Sequence, residues 1–191
     1  MRLVLLSQGP SVAAWDGARG EGVIGINKVV LNYSCDWWCF ADAHVFRDLV
    51  TQVGHPLPRV FTRKKCDAST QANGGAEVRA LWDLMKPHAL WFEDVPLPPM
   101  PENIPRHGQS REPRWNKFSG LAALGLAWVL NADEVLCWGV DLGGDRDFTG
   151  FKNPNHYEGR WELERAVWRG LCEGFAAQGM RVRRMPDGDW R

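Results

Sequence analysis

No stretch of about 18 uninterrupted apolar residues occurs in the 191-residue chain, so a membrane-spanning helix is not expected. A net charge is missing too: Lys plus Arg number 23, and so do Asp plus Glu. With no overall field, general nucleic-acid binding and adsorption to anionic membranes are not expected. Basic residues do gather locally, at Arg63-Lys64-Lys65, from Arg106 to Lys117 and from Arg181 to Arg184, and each run reads as a solvated face. The opening apolar run, residues 1–6, is too short for a signal peptide and reads as a first strand.

An even cysteine count is also lacking. Cys35, Cys39, Cys66, Cys137 and Cys172 are five, several of them in apolar strand-like runs, which predicts buried free thiols in a reducing compartment and hence a cytoplasmic protein. Cys35 and Cys39 bracket Asp-Trp-Trp at a spacing zinc can use, but no second Cys/His pair of the usual spacing follows. The chain has neither the GxGxxG fingerprint nor the Gly-Lys-Ser/Thr of a P-loop.

What is present is ordinary globular material, 45% apolar and 24% charged, of a length that suits one domain over 1–191. Short apolar runs at 2–7, 22–26, 37–41, 59–62, 89–92, 134–138 and 180–184 alternate with helical patterns at 42–53, 75–86, 117–130 and 158–178. That alternation predicts an α/β fold with a mainly parallel sheet of about six or seven strands and helices on both faces. In the last helix Trp161, Trp168, Leu171, Cys172 and Phe175 form one apolar stripe, with Glu162, Arg165, Arg169 and Glu173 off it. The stretch 87–113 holds seven of the twelve prolines and predicts an extended surface connection. A second irregular stretch, 143–157, is rich in Gly, Asp and Asn and reads as a lid-like loop.

Polar residues crown the predicted strands. The first ends in Ser7-Gln8-Gly9-Pro10-Ser11, a turn where glycine admits close backbone approach and a phosphate can meet free amides. Asn27 ends the second and Asp42-Ala43-His44 the third; Asp42 fits a helix N-cap or, with His44, a divalent Mn or Mg site. Ser119-Gly120 opens a helix of small residues whose amino end suits an anion, with Arg114 and Lys117 nearby. Asp141 follows the sixth strand, and His156 approaches the last helix, where an imidazole suits a general base or a structural role. Some of the eleven tryptophans are candidates for an acceptor groove or a homo-oligomer interface, burial being the expectation for most.

Taken in order, Val4-Leu5-Leu6-Ser7-Gln8-Gly9-Pro10-Ser11, Ile26-Asn27, Phe40-Ala41-Asp42, Ser119-Gly120, Gly139-Val140-Asp141 and Asn155-His156-Tyr157 resemble the family 42 bacterial sialyltransferases over nearly the whole chain. They also resemble the related domain-of-unknown-function 115 proteins, which include flagellin-glycosylation accessory factors and archaeal pterin diphosphokinases. The resemblance implies a Rossmann-like glycosyltransferase fold that binds a cytidine-monophosphate sugar without metal and transfers the sugar with inversion. It puts Gln8, Gly9 and Ser11 on the donor's phosphate turn, Asn27 on the nucleotide sugar and Ser119 and Gly120 at the sugar end. His156 falls on the general base, and Asp42 replaces an asparagine.

Two positions depart from the family: Gly143 stands for a tyrosine that steadies the leaving phosphate, and Asn116 for an arginine near the donor. Arg114, Lys117, Arg146 or a metal would then supply the missing charge. The expected activity is transfer from a CMP- or UDP-sugar to an acceptor hydroxyl. The alternatives are a pterin-type diphosphokinase, with Asp42 and Asp141 on magnesium-ATP, and a non-catalytic nucleotide-binding accessory protein.

Overall fold

The structure is a computed structural model that describes residues 1–96, 119–144, 146, 149–150 and 160–188. Among the described residues seven strands form one sheet: β1 (Arg2–Leu6), β2 (Gly22–Ile26), β3 (Trp37–Phe40), β4 (Arg59–Thr62), β5 (Leu90–Trp91), β6 (Glu134–Trp138) and β7 (Arg181–Arg184). Their order is β5-β4-β3-β2-β1-β6-β7, and every pairing is parallel. Among the described residues the α-helices are α1 (Ala43–Leu49), α2 (Lys64–Asn73), α3 (Ala76–Met85), α4 (Ser119–Val129) and α5 (Arg160–Ala177).

A parallel sheet needs cover on both faces, and the strands are accordingly near-continuous apolar runs. Leu3, Leu5, Ile24, Ile26, Cys39, Phe61, Val135 and Cys137 point to one face and pack under α4 and α5. Val4, Leu6, Val23, Trp38, Phe40 and Val60 point to the other, under α1 to α3 and the one-turn segments Pro10–Ala14 and Asn27–Leu31. Helix α4 lies in the middle of the first layer, and Leu121 to Ala127 are all buried, which explains a sequence of small and apolar residues all round. On α5 the predicted stripe holds: Trp168, Leu171, Cys172 and Phe175 are buried, while Trp161 is half-buried and donates to the Gly144 carbonyl at 2.9 Å.

Two elements differ from the sequence expectation. Helix α1 stops at Leu49 and tightens into a single turn at Val50–Gln52. Helix α2 has no counterpart in the periodicity, because only Cys66 and Thr70 face inward from an otherwise polar segment. Of the proline-rich connection 87–113, the part to 96 carries β5 and two single turns, and the remainder lies outside the described residues. No helix among the described residues is long and apolar enough to cross a membrane.

At the amino ends of the strands, the buried Glu134 carboxylate accepts from Arg2 Nε at 2.7 Å and faces Arg181 at 3.8 Å and Arg183 at 3.7 Å. The Arg2 hydrogen bond, with the charges of the three arginines, holds this carboxyl below its ordinary 4.5 although burial pulls the other way. A depressed folded value means that the stabilisation is complete above the ordinary value and is lost as pH falls through the folded one. Glu134→Gln should therefore lower the melting midpoint by several degrees at pH 7, and the gap to wild type should close as pH drops below 4.5. A gap that stayed constant down to pH 3, read by calorimetry, would assign the effect to shape and not to charge.

All five cysteines are free and buried. Burial pushes the Cys35 thiol up to about 12 and holds Cys39 and Cys137 well above the ordinary value. At pH 8 the folded protein should leave a thiol reagent unreacted, and guanidinium should release all five groups at once. Stoichiometric labelling of the native chain would contradict this burial.

Candidate functional site

Chain order reverses beside β1: β2 to β5 build outward on one side, β6 and β7 on the other. In open parallel sheets, ligands bind outside the carboxyl ends of the strands at such a reversal. Registers align those ends, with Leu6 opposite both Gly25 and Trp138, Ile26 opposite Cys39, Phe40 opposite Thr62, and Cys137 opposite Arg184. Gln8, Gly9, Pro10, Ser11, Asn27, Asp42, Ser119, Gly120 and Asp141 therefore stand along a single rim. His156 lies outside the described residues, as do Arg114, Asn116 and Lys117 and most of the loop 143–157.

The turns after β1 and β6 are stitched together. Ser7 N–H donates to the Trp138 carbonyl at 2.8 Å and Gly9 N–H to the Gly139 carbonyl at 2.7 Å. Ser11 N–H donates to Asp141 Oδ2 at 2.9 Å, and Gly139 N–H to Ser11 Oγ at 2.9 Å. A side chain at position 9 has no room, because its Cβ would lie 2.6 Å from the Gly139 oxygen and 2.7 Å from Asp141 Cγ. Pro10 starts the one-turn segment, where its missing N–H costs nothing, and Gln8 is half-buried beside it. The Ser11 amide, the free donor expected of this turn, is thus occupied by the protein's own carboxylate.

A second set of bonds joins β2, β3 and α4. Ser119 Oγ accepts from Ala41 N–H at 3.1 Å and donates to Asn27 Oδ1 at 3.4 Å, which seats the amino end of α4 on the rim. Asn27 holds a left-handed backbone, φ 51°, tolerated by asparagine better than by most residues. The buried Trp38 indole braces it by donating to the Asn27 carbonyl at 2.8 Å. Gly120 is a packing position: a Cβ there would meet Trp168 of α5 at 2.9 Å. Across the rim, Lys28 Nζ donates to Thr149 Oγ1 at 3.2 Å, so this point of the 143–157 loop reaches over β1 to the end of β2.

Asp42 stands at the N-cap position of α1, yet its carboxylate makes no capping bond and instead faces Lys65 Nζ at 3.7 Å. The expected side-chain cap is therefore replaced by an exposed ion pair, with the Asp42 carbonyl accepting from Val45 N–H. His44 is exposed. Among the described residues no group of three or more His, Cys, Asp or Glu side chains stands together to hold a metal ion. Asp42 and Asp141 are separated by three strand spacings, roughly 14 Å, too far to share one magnesium. Cys35 and Cys39 belong to opposite core layers, which disposes of a shared zinc.

Three rim residues escaped the sequence reading. Arg184, in a run taken for a solvated face, ends β7 and donates through Nη2 to the Asp141 carbonyl at 3.2 Å. Arg165, on the polar side of the α5 stripe, donates through Nη1 to the Leu142 carbonyl at 2.8 Å. Arg63 follows β4, and among the described residues its buried Nε has no hydrogen-bond partner. For Arg63 and Arg184 the usable signal was position, because a charged residue at or just past the end of a strand of a parallel sheet lands on the carboxyl rim; Arg165, within a helix, carried no such signal. A cavity of about 450 Å³ lies at the opposite edge, lined by Arg2, Glu21, Asp133, Glu134 and Arg181 among others. Its arginines are paired with Glu134, and it sits where open sheets do not bind ligands.

No protein-family model matches the chain, and no curated protein does. Solved structures do match. The chain is similar to the sialyltransferase CST-II in complex with a trisaccharide acceptor and CMP, at 11% identity and a TM-score of 0.54, over 97% of this chain and 81% of that one. A variant of CST-II with CMP aligns at 12% identity and 0.57, over 98% and 82%. CstII from Campylobacter jejuni with cytidine-5'-monophosphate aligns at 13% and 0.56, over 96% and 79%. At these identities the likeness establishes the fold: the seven-stranded parallel α/β architecture is that of these transferases.

The stitching of the two turns makes a direct prediction. Gly9→Ala should destabilise the protein by about 1–3 kcal/mol, the usual cost of overpacking, lowering the midpoint by roughly 2–4 °C per kcal/mol. Gly143→Ala is the control, because its Cβ meets only the Asp141 carbonyl at 3.7 Å. Equal midpoints for the two variants in a thermal melt would show that the turns do not approach this closely.

Proposed function

We propose that the chain is a glycosyltransferase that takes a sugar from a CMP-activated donor. The reading rests on one observation: the fold likeness to CMP-bound CST-II covers almost all of this chain and about four-fifths of those. Two placements support it. Asn27 and Ser119, bonded to each other, stand on the β2 side of the rim, and the Gly9 turn, tied to Asp141 through Ser11, stands at β1 and β6.

In this reading His156 removes the proton of an acceptor hydroxyl as its oxygen attacks the anomeric carbon. The new carbon–oxygen bond forms opposite the breaking bond to phosphate, whose electron pair departs with CMP, and the anomeric configuration inverts. No divalent ion enters the scheme, and Asp42 with His44 is not assigned a metal. The diphosphokinase alternative is disfavoured by the separation of Asp42 and Asp141.

Thermal shift separates the readings, because a ligand at 100 times its Kd stabilises by roughly 2.7 kcal/mol. CMP without metal should raise the midpoint; a response to UDP only with manganese, or to ATP only with magnesium, would replace this donor or this reaction class. With CMP-sialic acid as donor, His156→Ala should cut turnover by about 10²- to 10⁴-fold and leave CMP affinity within twofold. Unchanged turnover would remove the base assignment.

A further inference from the structure

We infer that Arg165 and Arg184 hold the phosphate of the bound nucleotide, an assignment that rests on the nucleotide-transfer reading above. Both guanidiniums reach the segment that leaves β6 beside the chain reversal: Arg184 Nη2 bonds the Asp141 carbonyl and Arg165 Nη1 the Leu142 carbonyl. Each has five N–H donors in a planar fork suited to phosphate oxygens, and each engages a neutral carbonyl through one nitrogen. Among the described residues neither pairs with a carboxylate, and Arg184 Nε is buried with no partner at all. The arginines at the amino ends of the strands behave differently: Arg2, Arg181 and Arg183 converge on Glu134, and Arg19 pairs with Asp36.

The segment they touch is itself unusual. Leu142 takes φ 48°, a left-handed backbone that a branched apolar residue seldom adopts, and such conformations gather at ligand sites. The Arg165 bond to its carbonyl helps to keep it there. One anion position nearby is already filled, since Asp141 Oδ2 accepts the Ser11 N–H. A phosphate arriving at this crevice would be repelled by that carboxylate unless cations flank it. Arg165 and Arg184, on the α4–α5 side of the Asp141 segment, are placed to do this. Guanidiniums so placed can also take up the charge that develops on a leaving phosphate.

The test compares CMP with cytidine, which lacks only the phosphate, by calorimetric titration of the full chain at low salt. Wild type should bind CMP at least 10-fold more tightly than cytidine. Arg165→Gln and Arg184→Gln should each reduce that ratio by several-fold, leave cytidine affinity within twofold, and flatten the salt dependence of CMP binding. Arg184→Lys, which keeps charge without the fork, should recover part of the ratio and guards against a folding artefact. If CMP binds tightly and the ratio survives in every Gln variant, or if CMP and cytidine weaken in parallel, this assignment is overturned while the transfer reading stands. If wild type binds neither compound, the transfer reading fails and takes the assignment with it.

Discussion

How closely the turn after β1 approaches the turn after β6 governs the rest of the rim. The approach exists because position 9 has no side chain: the Gly9 N–H reaches the Gly139 carbonyl at 2.7 Å, and the Asp141 carboxylate reaches the Ser11 amide. A methyl group at that point would occupy the space of the Gly139 oxygen. With the joint closed, the segment 141–143 is suspended from the sheet in one position, its Leu142 backbone in the left-handed region and its carbonyls within reach of α5 and β7. Residues that look like independent polar tips in the sequence are thereby parts of one network.

The two rims of the sheet handle their arginines differently. At the amino ends, three arginines surround one buried carboxylate, and the amino terminus of Met1 meets Asp133. Such mutually satisfied pairs hold strands together and leave little field to act on a ligand. At the carboxyl ends Asp42 faces Lys65 and Asp94 faces Lys64, but among the described residues Arg165 and Arg184 meet only carbonyl oxygens, and the buried Nε groups of Arg63 and Arg184 have no partner. Leaving buried donors unsatisfied costs about 1–3 kcal/mol each. A folded chain tolerates that cost where it leaves donors available to something else, and the rim is also where the polar ends of seven strands collect.

The apolar strands were legible because burial on both faces leaves no polar alternation: all seven runs appear in the structure, shifted at their ends by no more than two residues. Helix α5 was legible through its stripe, whereas α2 was not, since Cys66 and Thr70 alone are too few to mark a period. Candidate residues were recognisable as strand ends or, for Ser119 and Gly120, as a helix start, but their contacts were not. Ser119 bonds Ala41 and Asn27, Gly120 makes room for Trp168, and the Asp42 carboxylate, which fits a cap, faces Lys65 instead.

Alone, the amino-acid sequence determined the α/β class, the parallel pairing and the collection of polar groups at strand ends, because these follow from periodicity within a few neighbouring residues. Only the tertiary structure decided that β6 lies against β1 rather than beyond β5, and hence which tips meet. Ser11 finds Asp141 across 130 positions and Ala41 finds Ser119 across 78, and nothing within either segment specifies its partner. Loop closure adds only slowly to the cost of such distant contacts, so the choice falls to how the two buried layers pack as a whole.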